Sequence, residues 1–151
     1  MRTPFMAGNW KMYKTPAETA AFFEAFLPLV AGTEGREIVI NAPFVDLAAA
    51  VAATAGSNVG IGAQNLYWEK EGAYTGEISG PMLKAVGCEY VVIGHSERRQ
   101  YFGETDATVL KRSIAAIDAG LTPIICVGEL LEEREAGRTN EVLQTQFDGG
   151  I

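Results

Sequence analysis

Tyr90-Val91-Val92-Ile93-Gly94-His95-Ser96-Glu97-Arg98-Arg99 is the stretch on which the reading of the fold turns. Val91-Val92-Ile93 is an unbroken β-branched run, and Tyr90 to Gly94 is the clearest strand of the chain. A strand that does not alternate apolar with polar residues is buried on both faces, as in a parallel sheet covered by helices. From His95 the composition changes abruptly, and Ser96 to Phe102 reads as a short helix. A titratable side chain therefore sits where a buried strand ends, the place where βα proteins gather their functional groups.

Working outward, the same alternation repeats. Arg2 to Gly8 opens as a strand, and Thr15-Pro16-Ala17-Glu18 reads as a capping box with Pro16 at the first helical position. Phe22, Phe26 and Leu29 recur at helical spacing behind it, ended by Gly32 and Gly35. Glu37 to Asn41 is a second strand, Val45 to Ala55 an Ala-rich helix, and Val59 to Ala63 a third strand. Gly60 and Gly62 within that strand imply that something packs close to its backbone. A polar and aromatic stretch follows from Asn65 to Ser79, then a short helix around Pro81 to Ala85.

Beyond the central stretch, Asp106 to Ala119 reads as a helix with Val109, Leu110, Ile114 and Ile117 inward. Leu121 to Val127 is a strand, with Pro123 suited to an early position in it. Leu130 to Ala136 and Glu141 to Phe147 read as helices, and Asp148-Gly149-Gly150 as a break. The order is βαβαβαβαβα, with no composition shift to mark a boundary, so residues 1–151 are read as one α/β domain. Right-handed crossovers leave an open doubly wound sheet or an arc of a βα barrel, and the pattern does not choose between them.

Of the 151 residues 48% are apolar, enough for a core, while the net charge of -7 repels nucleic acid. The same charge repels small anions at long range, so an anionic substrate needs a locally positive pocket. Cys88 and Cys126, with one histidine, make neither a four-ligand zinc site nor a dense disulfide framework. No stretch approaches a membrane span, and the start does not read as a secretory signal, so a cytoplasmic location is expected.

Three strand ends carry polar residues that the fold does not require: Asn9, Trp10 and Lys11; Gln64 and Asn65; His95, Ser96 and Glu97. Singly, each has a structural explanation. A loop lysine is usually a solvated charge, and a lone histidine is more often a hydrogen-bonded structural residue. Their convergence at one sheet edge raises the functional reading.

Gly8-Asn9-Trp10-Lys11-Met12, Ala63-Gln64-Asn65, Gly72-Ala73-Tyr74-Thr75-Gly76-Glu77, Val92 to Arg99 and Cys126-Val127-Gly128-Glu129 resemble the triosephosphate isomerase family, in its order and spacing. The resemblance covers essentially the whole chain and implies a TIM barrel, (β/α)8, of which this chain forms about the first five βα units. It implies interconversion of dihydroxyacetone phosphate and glyceraldehyde 3-phosphate through an enediolate, with no metal or organic cofactor. Lys11 and Asn9 would bind substrate and stabilise charge, His95 would act as a neutral electrophile, and Glu97 would hold Lys11. The start of a helix at His95 disfavours imidazolium, in keeping with that role. A dimer is also implied, with Gln64 and the loop around Thr75, Gly76 and Glu77 at the interface.

A complete barrel typically needs about 250 residues, so roughly 100 are expected to be absent. No string here resembles the family's glutamate base, lid or phosphate-gripping loops, and Glu129 is the one plausible substitute base. An arc also leaves edge strands unpaired and its inner face open to water. The competing readings are an isomerase of which this chain is part, a non-catalytic, self-associating half-barrel scaffold, and another sugar-phosphate enzyme on the same barrel.

Overall fold

The computed structural model describes residues 2–151. Strands β1 (Phe5–Asn9), β2 (Glu37–Ala42), β3 (Val59–Ala63), β4 (Tyr90–Ile93) and β5 (Thr122–Ile125) lie side by side in chain order. Each neighbouring pair is parallel. A doubly wound sheet reverses its strand order at a switch point; this one never does, which makes it a barrel arc. Helices α1 (Pro16–Val30), α2 (Leu47–Thr54), α3 (Gly80–Val86), α4 (Ser96–Tyr101), α5 (Asp106–Asp118), α6 (Leu131–Glu135) and α7 (Thr139–Gly150) fill the connections. A 3-10 turn, Phe44–Asp46, leads into α2.

The start of α1 follows from its sequence. The Glu18 carboxylate accepts from both the Thr15 N–H and the Thr15 hydroxyl, each at 2.8 Å. These bonds hold the Glu18 pKa below its ordinary value. Phe23 then points inward with no exposed surface. It meets a layer formed by Ile38, Ile40, Val59, Ile61, Val91 and Ile93, one face of the sheet packed against the helices. Each such side chain contributes about 1.5–3 kcal/mol by leaving water.

On the other face, β3 is bare where Tyr90 crosses it. A Cβ at Gly60 would lie 2.9 Å from the Tyr90 ring. One at Gly62 would lie 3.0 Å from Tyr90 Cβ and 2.1 Å from Asn41 Oδ1. The close approach expected from these glycines is thus a tyrosine, whose hydroxyl donates to Glu37 Oε2 at 3.0 Å. Phe5 packs on the same ring with centroids 5.4 Å apart. The inner face near the strand starts is consequently covered in part by Tyr90 and by the still exposed Phe5.

Two expectations are corrected. The buried side of α5 is Val109, Arg112, Ser113 and Ala116, whereas Ile114 and Ile117 are exposed. Arg112 is drawn inside by polar partners, as described below. Helix α7 runs through Asp148 and Gly149 to Gly150 without a break. Its glycines serve helix packing, since a Cβ at Gly149 would meet Asp106 Cβ at 2.9 Å and one at Gly150 would meet Val109 at 3.3 Å. The segment from Asn65 to Ser79 is closed on itself: Tyr67 N–H donates to the Ile78 carbonyl at 2.8 Å, and the rings of Tyr67 and Tyr74 are 4.8 Å apart. Pro123 is the second residue of β5, opposite Val91.

Candidate active site

Asn9 ends β1, and the chain then bends sharply. Trp10 swings outward onto Phe22 and Phe23, with centroids 5.0 and 5.6 Å away. Its backbone N–H donates to the Asn41 carbonyl at 3.0 Å. Lys11 follows with φ of 55°, the left-handed region that a lysine rarely adopts. Two side chains hold it there. Asn9 Oδ1 accepts the Lys11 N–H at 3.0 Å, and Gln64 Nε2 donates to the Lys11 carbonyl at 2.9 Å. The same Gln64 amide donates to the Asn41 carbonyl at 3.0 Å, tying the ends of β1, β2 and β3 together.

At the end of β4, Gly94 adopts φ of 70°, and a Cβ there would meet Val109 at 2.9 Å. Glycine lets the chain turn tightly against α5 and deliver His95 as the N-cap of α4. His95 Nδ1 accepts the Glu97 N–H at 3.3 Å. A ring nitrogen used as an acceptor carries no proton, so the neutral imidazole holds its proton on Nε2. The Glu97 carboxylate lies 2.6 Å from Lys11 Nζ and 3.5 Å from His95 Nδ1. The hydrogen bond and charge of Glu97 raise the Lys11 pKa, and Lys11 in turn lowers that of Glu97. Both groups stay charged.

Asn9, Lys11, Gln64, His95 and Glu97 line one cavity of about 260 Å³. Four of them are the expected catalytic set. Gln64, expected at an interface, braces Lys11 from within the chain, while Thr75, Gly76 and Glu77 are exposed on their loop. Asn41, the penultimate residue of β2, is a fully buried amide that the sequence reading does not place in the site. Its polarity among Ile38, Val39 and Ile40 was the available signal; its Nδ2 donates to the Gly8 carbonyl at 3.1 Å.

Behind His95 a second cavity of about 600 Å³ is lined by Cys126, Gly128, Glu129 and Gln146 among others. Glu129 accepts from Arg134 Nε at 2.7 Å and from Thr139 Oγ1 at 3.3 Å. Its own backbone N–H and Arg134 lower its pKa. A carboxylate stabilised as the anion is a weak proton acceptor, so the expectation of Glu129 as a substitute base does not hold.

The sequence model of triosephosphate isomerases matches residues 4–151. The chain belongs to the triosephosphate isomerase family. It is 66% identical over its whole length to the triosephosphate isomerase of Solibacter usitatus and 57% to that of Moorella thermoacetica. It spans 61% and 60% of the length of those two relatives. The crystal structure of triosephosphate isomerase from Bartonella henselae superposes with a TM-score of 0.94 at 41% identity. That match covers 99% of this chain and 62% of the other. The five-stranded arc therefore matches part of a triosephosphate isomerase fold, as the resemblance implied. Among the described residues no helix is long and apolar enough to cross a membrane.

Proposed function

We propose that Asn9, Lys11, His95 and Glu97 form the electrophilic side of an active site that interconverts dihydroxyacetone phosphate and glyceraldehyde 3-phosphate. The observation carrying this reading is the shared engagement of Glu97. Its carboxylate holds the Lys11 ammonium at 2.6 Å while its backbone N–H binds His95 Nδ1. The result is a fixed cation and a neutral N–H donor on one cavity wall. Removal of a carbon-bound proton from the substrate leaves an enediolate. The Nε2–H of His95 and the ammonium of Lys11 stabilise the charge growing on its oxygens. Asn9 has committed Oδ1 to the Lys11 N–H, which leaves its amide N–H groups for the substrate. Lys11 also supplies the local positive charge that a phosphate ester needs within a shell of net charge -7.

The proton acceptor is a separate matter. Of the carboxylates lining the two cavities, Glu97 is held by Lys11 and Glu129 by Arg134. Glu133 accepts the Leu130 N–H at 2.8 Å. We assign the base to residues outside these 151, so the chain by itself is expected to show no more than trace turnover. The test is a hybrid enzyme in which these residues replace the matching segment of the Solibacter usitatus triosephosphate isomerase. Turnover that disappears with Lys11→Met supports the reading; a folded hybrid that is inactive, or indifferent to Lys11, overturns it.

A homodimer fits the same reading. Thr75, Gly76 and Glu77 project from the loop between β3 and α3, and Met12 (93%), Val45 (71%) and Tyr101 (68%) leave apolar surface exposed. Sedimentation of the chain at micromolar concentration checks this, and a well-folded monomer counts against it. The free thiols of Cys88 and Cys126 support a cytoplasmic location.

A further inference from the structure

We propose that Arg112 is a positioning residue for Lys11, acting through Asn65 and Gln64; the inference rests on the reading of Lys11 given above. Arg112 lies on α5 with 7% of its surface exposed. Its Nε donates to Asn65 Oδ1 at 3.1 Å and to the Leu66 carbonyl at 3.0 Å. The Trp68 ring packs over the guanidinium, 4.9 Å from Cζ. The two acceptors belong to consecutive residues, and the residue just before them is Gln64. Gln64 in turn holds the Lys11 carbonyl. One side chain on an outer helix thereby fixes the exit of β3, and through it the backbone on which the Lys11 ammonium is carried.

Burial makes this arginine an expensive choice if cohesion were its whole purpose. Removing a guanidinium from water costs several kcal/mol, and an apolar side chain of similar volume commonly serves stability as well or better. What an apolar residue lacks is a planar N–H edge shared between two acceptors. Glu104, itself 6% exposed, completes the arrangement. Its Oε1 accepts from Arg98 Nε, on the helix that His95 caps, and lies 3.5 Å from Arg112 Nε. The Lys11 side and the His95–Glu97 side of the cavity are thus referenced to one buried carboxylate.

The test uses the 151-residue chain and reads the Lys11–Glu97 pair directly by NMR. Lys11 depresses the Glu97 carboxyl titration, so loosening Lys11 should move that titration up toward the ordinary carboxylate range. Arg112→Lys keeps a cation beside Glu104 but puts a methylene where Nε stands, which removes the N–H that Asn65 and Leu66 share. The expected result is an upward Glu97 titration and faster exchange of the Gln64 side-chain amide, with the fold retained. Asn65→Ala removes the side-chain half of that link without burying a lone charge and should shift both readouts the same way by a smaller amount, which keeps the test available if Arg112 variants fail to fold. Folded variants in which Glu97 and Gln64 behave as in the parent overturn the proposal. In the hybrid enzyme Arg112→Lys should lower turnover on the order of tenfold, the scale of a modest misplacement. An inactive parent hybrid with a shifted Glu97 titration would sink the isomerase reading and leave the positioning role intact.

Discussion

The cavity of Asn9, Lys11 and Glu97 and the cavity of Cys126, Glu129 and Gln146 meet at His95, which lines both. In the first, backbone and side-chain bonds fix the groups at their bases and leave their ends directed into the space. Lys11 is held at its N–H and at its carbonyl, yet its ammonium is half-exposed. In the second, the polar ends are already spent. Glu129 is bound by Arg134 and Thr139, and the Gln146 amide closes both ways on the Gly128 backbone, at 2.8 and 3.0 Å. A wall with braced bases and half-exposed charged ends can stabilise charge on a ligand. A wall with engaged ends holds its own loop together.

The largest expected effects test that division directly. In the hybrid enzyme, His95→Ala and Lys11→Met should each lower turnover by about 10²–10³-fold, the usual consequence of losing one preorganised donor at a developing oxyanion. Glu129→Gln should change it less than about tenfold, because that carboxylate is not available to the substrate. A steady-state assay on the three variants decides; a larger loss at Glu129 than at Lys11 would reverse the assignment of the two cavities.

Next in size are the glycines beneath each wall. Gly62→Ala drives a methyl into Asn41 and Tyr90 and should cost about 1–3 kcal/mol, as overpacking of a filled interior does. It should also disturb the Asn41 carbonyl that Gln64 binds. Gly128→Ala has nothing within 4 Å of the added carbon and should stay within about 0.5 kcal/mol of the parent. Urea unfolding of both variants measures the contrast, and equal losses would mean that the inner wall is as compliant as the outer loop.

Much of this was legible in the sequence, for identifiable reasons. Strands β2 and β4 hold runs of Ile and Val too short for helices, β3 alternates Val59 and Ile61 with glycine, and the ends of all three lie within a residue of those read from the sequence. The catalytic candidates stood out as polar side chains at three strand ends. What local pattern could not show was direction. Ile114 and Ile117 look like a core face, but Asn65 and Leu66, remote in sequence, together with Glu104 just before α5, draw Arg112 inward and rotate the buried side of α5. Gly149 and Gly150 look like helix breakers, and only the closeness of α5 explains them as packing residues. Glu129 looked available because Arg134 and Thr139 reach it only once α6 and α7 are folded.

A smaller effect concerns Asp46, just behind Phe44 in the wall of the front cavity. The residue is fully buried and neither carboxyl oxygen makes a well-formed hydrogen bond among the described residues, so burial pushes its pKa up, the nearby Thr19 hydroxyl offsetting only part of the effect. A carboxyl whose folded pKa exceeds its unfolded one supports the fold below the unfolded pKa, and that support is lost as pH rises through the folded value. Asp46→Asn keeps the neutral form at every pH. Its melting temperature should therefore gain on the parent as pH is raised from acid to neutral; a constant difference across that range would show that Asp46 does not titrate with folding.

The smallest expected effect is the stability change of Lys11→Met in the chain alone, which sharpens the comparison most. Every contact that holds this residue in place involves its backbone: the N–H to Asn9, the carbonyl to Gln64. Methionine preserves both bonds and experiences the same φ of 55°. The side chain contributes only the pair with Glu97, whose members are 49% and 40% exposed, and solvent screens such pairs heavily. The sign follows from Glu97, whose pKa is depressed in the fold by Lys11. That contribution is present above the unfolded carboxyl pKa and lost as pH falls through the folded one. Parent and variant should thus melt at nearly the same temperature at neutral pH and coincide in acid. Thermal unfolding at the two pH values measures this. A residue whose loss all but removes turnover in the hybrid and scarcely moves melting is retained for charge placement. A large fall in melting temperature would make Lys11 a structural member of the wall, like Arg134 on the other side of His95.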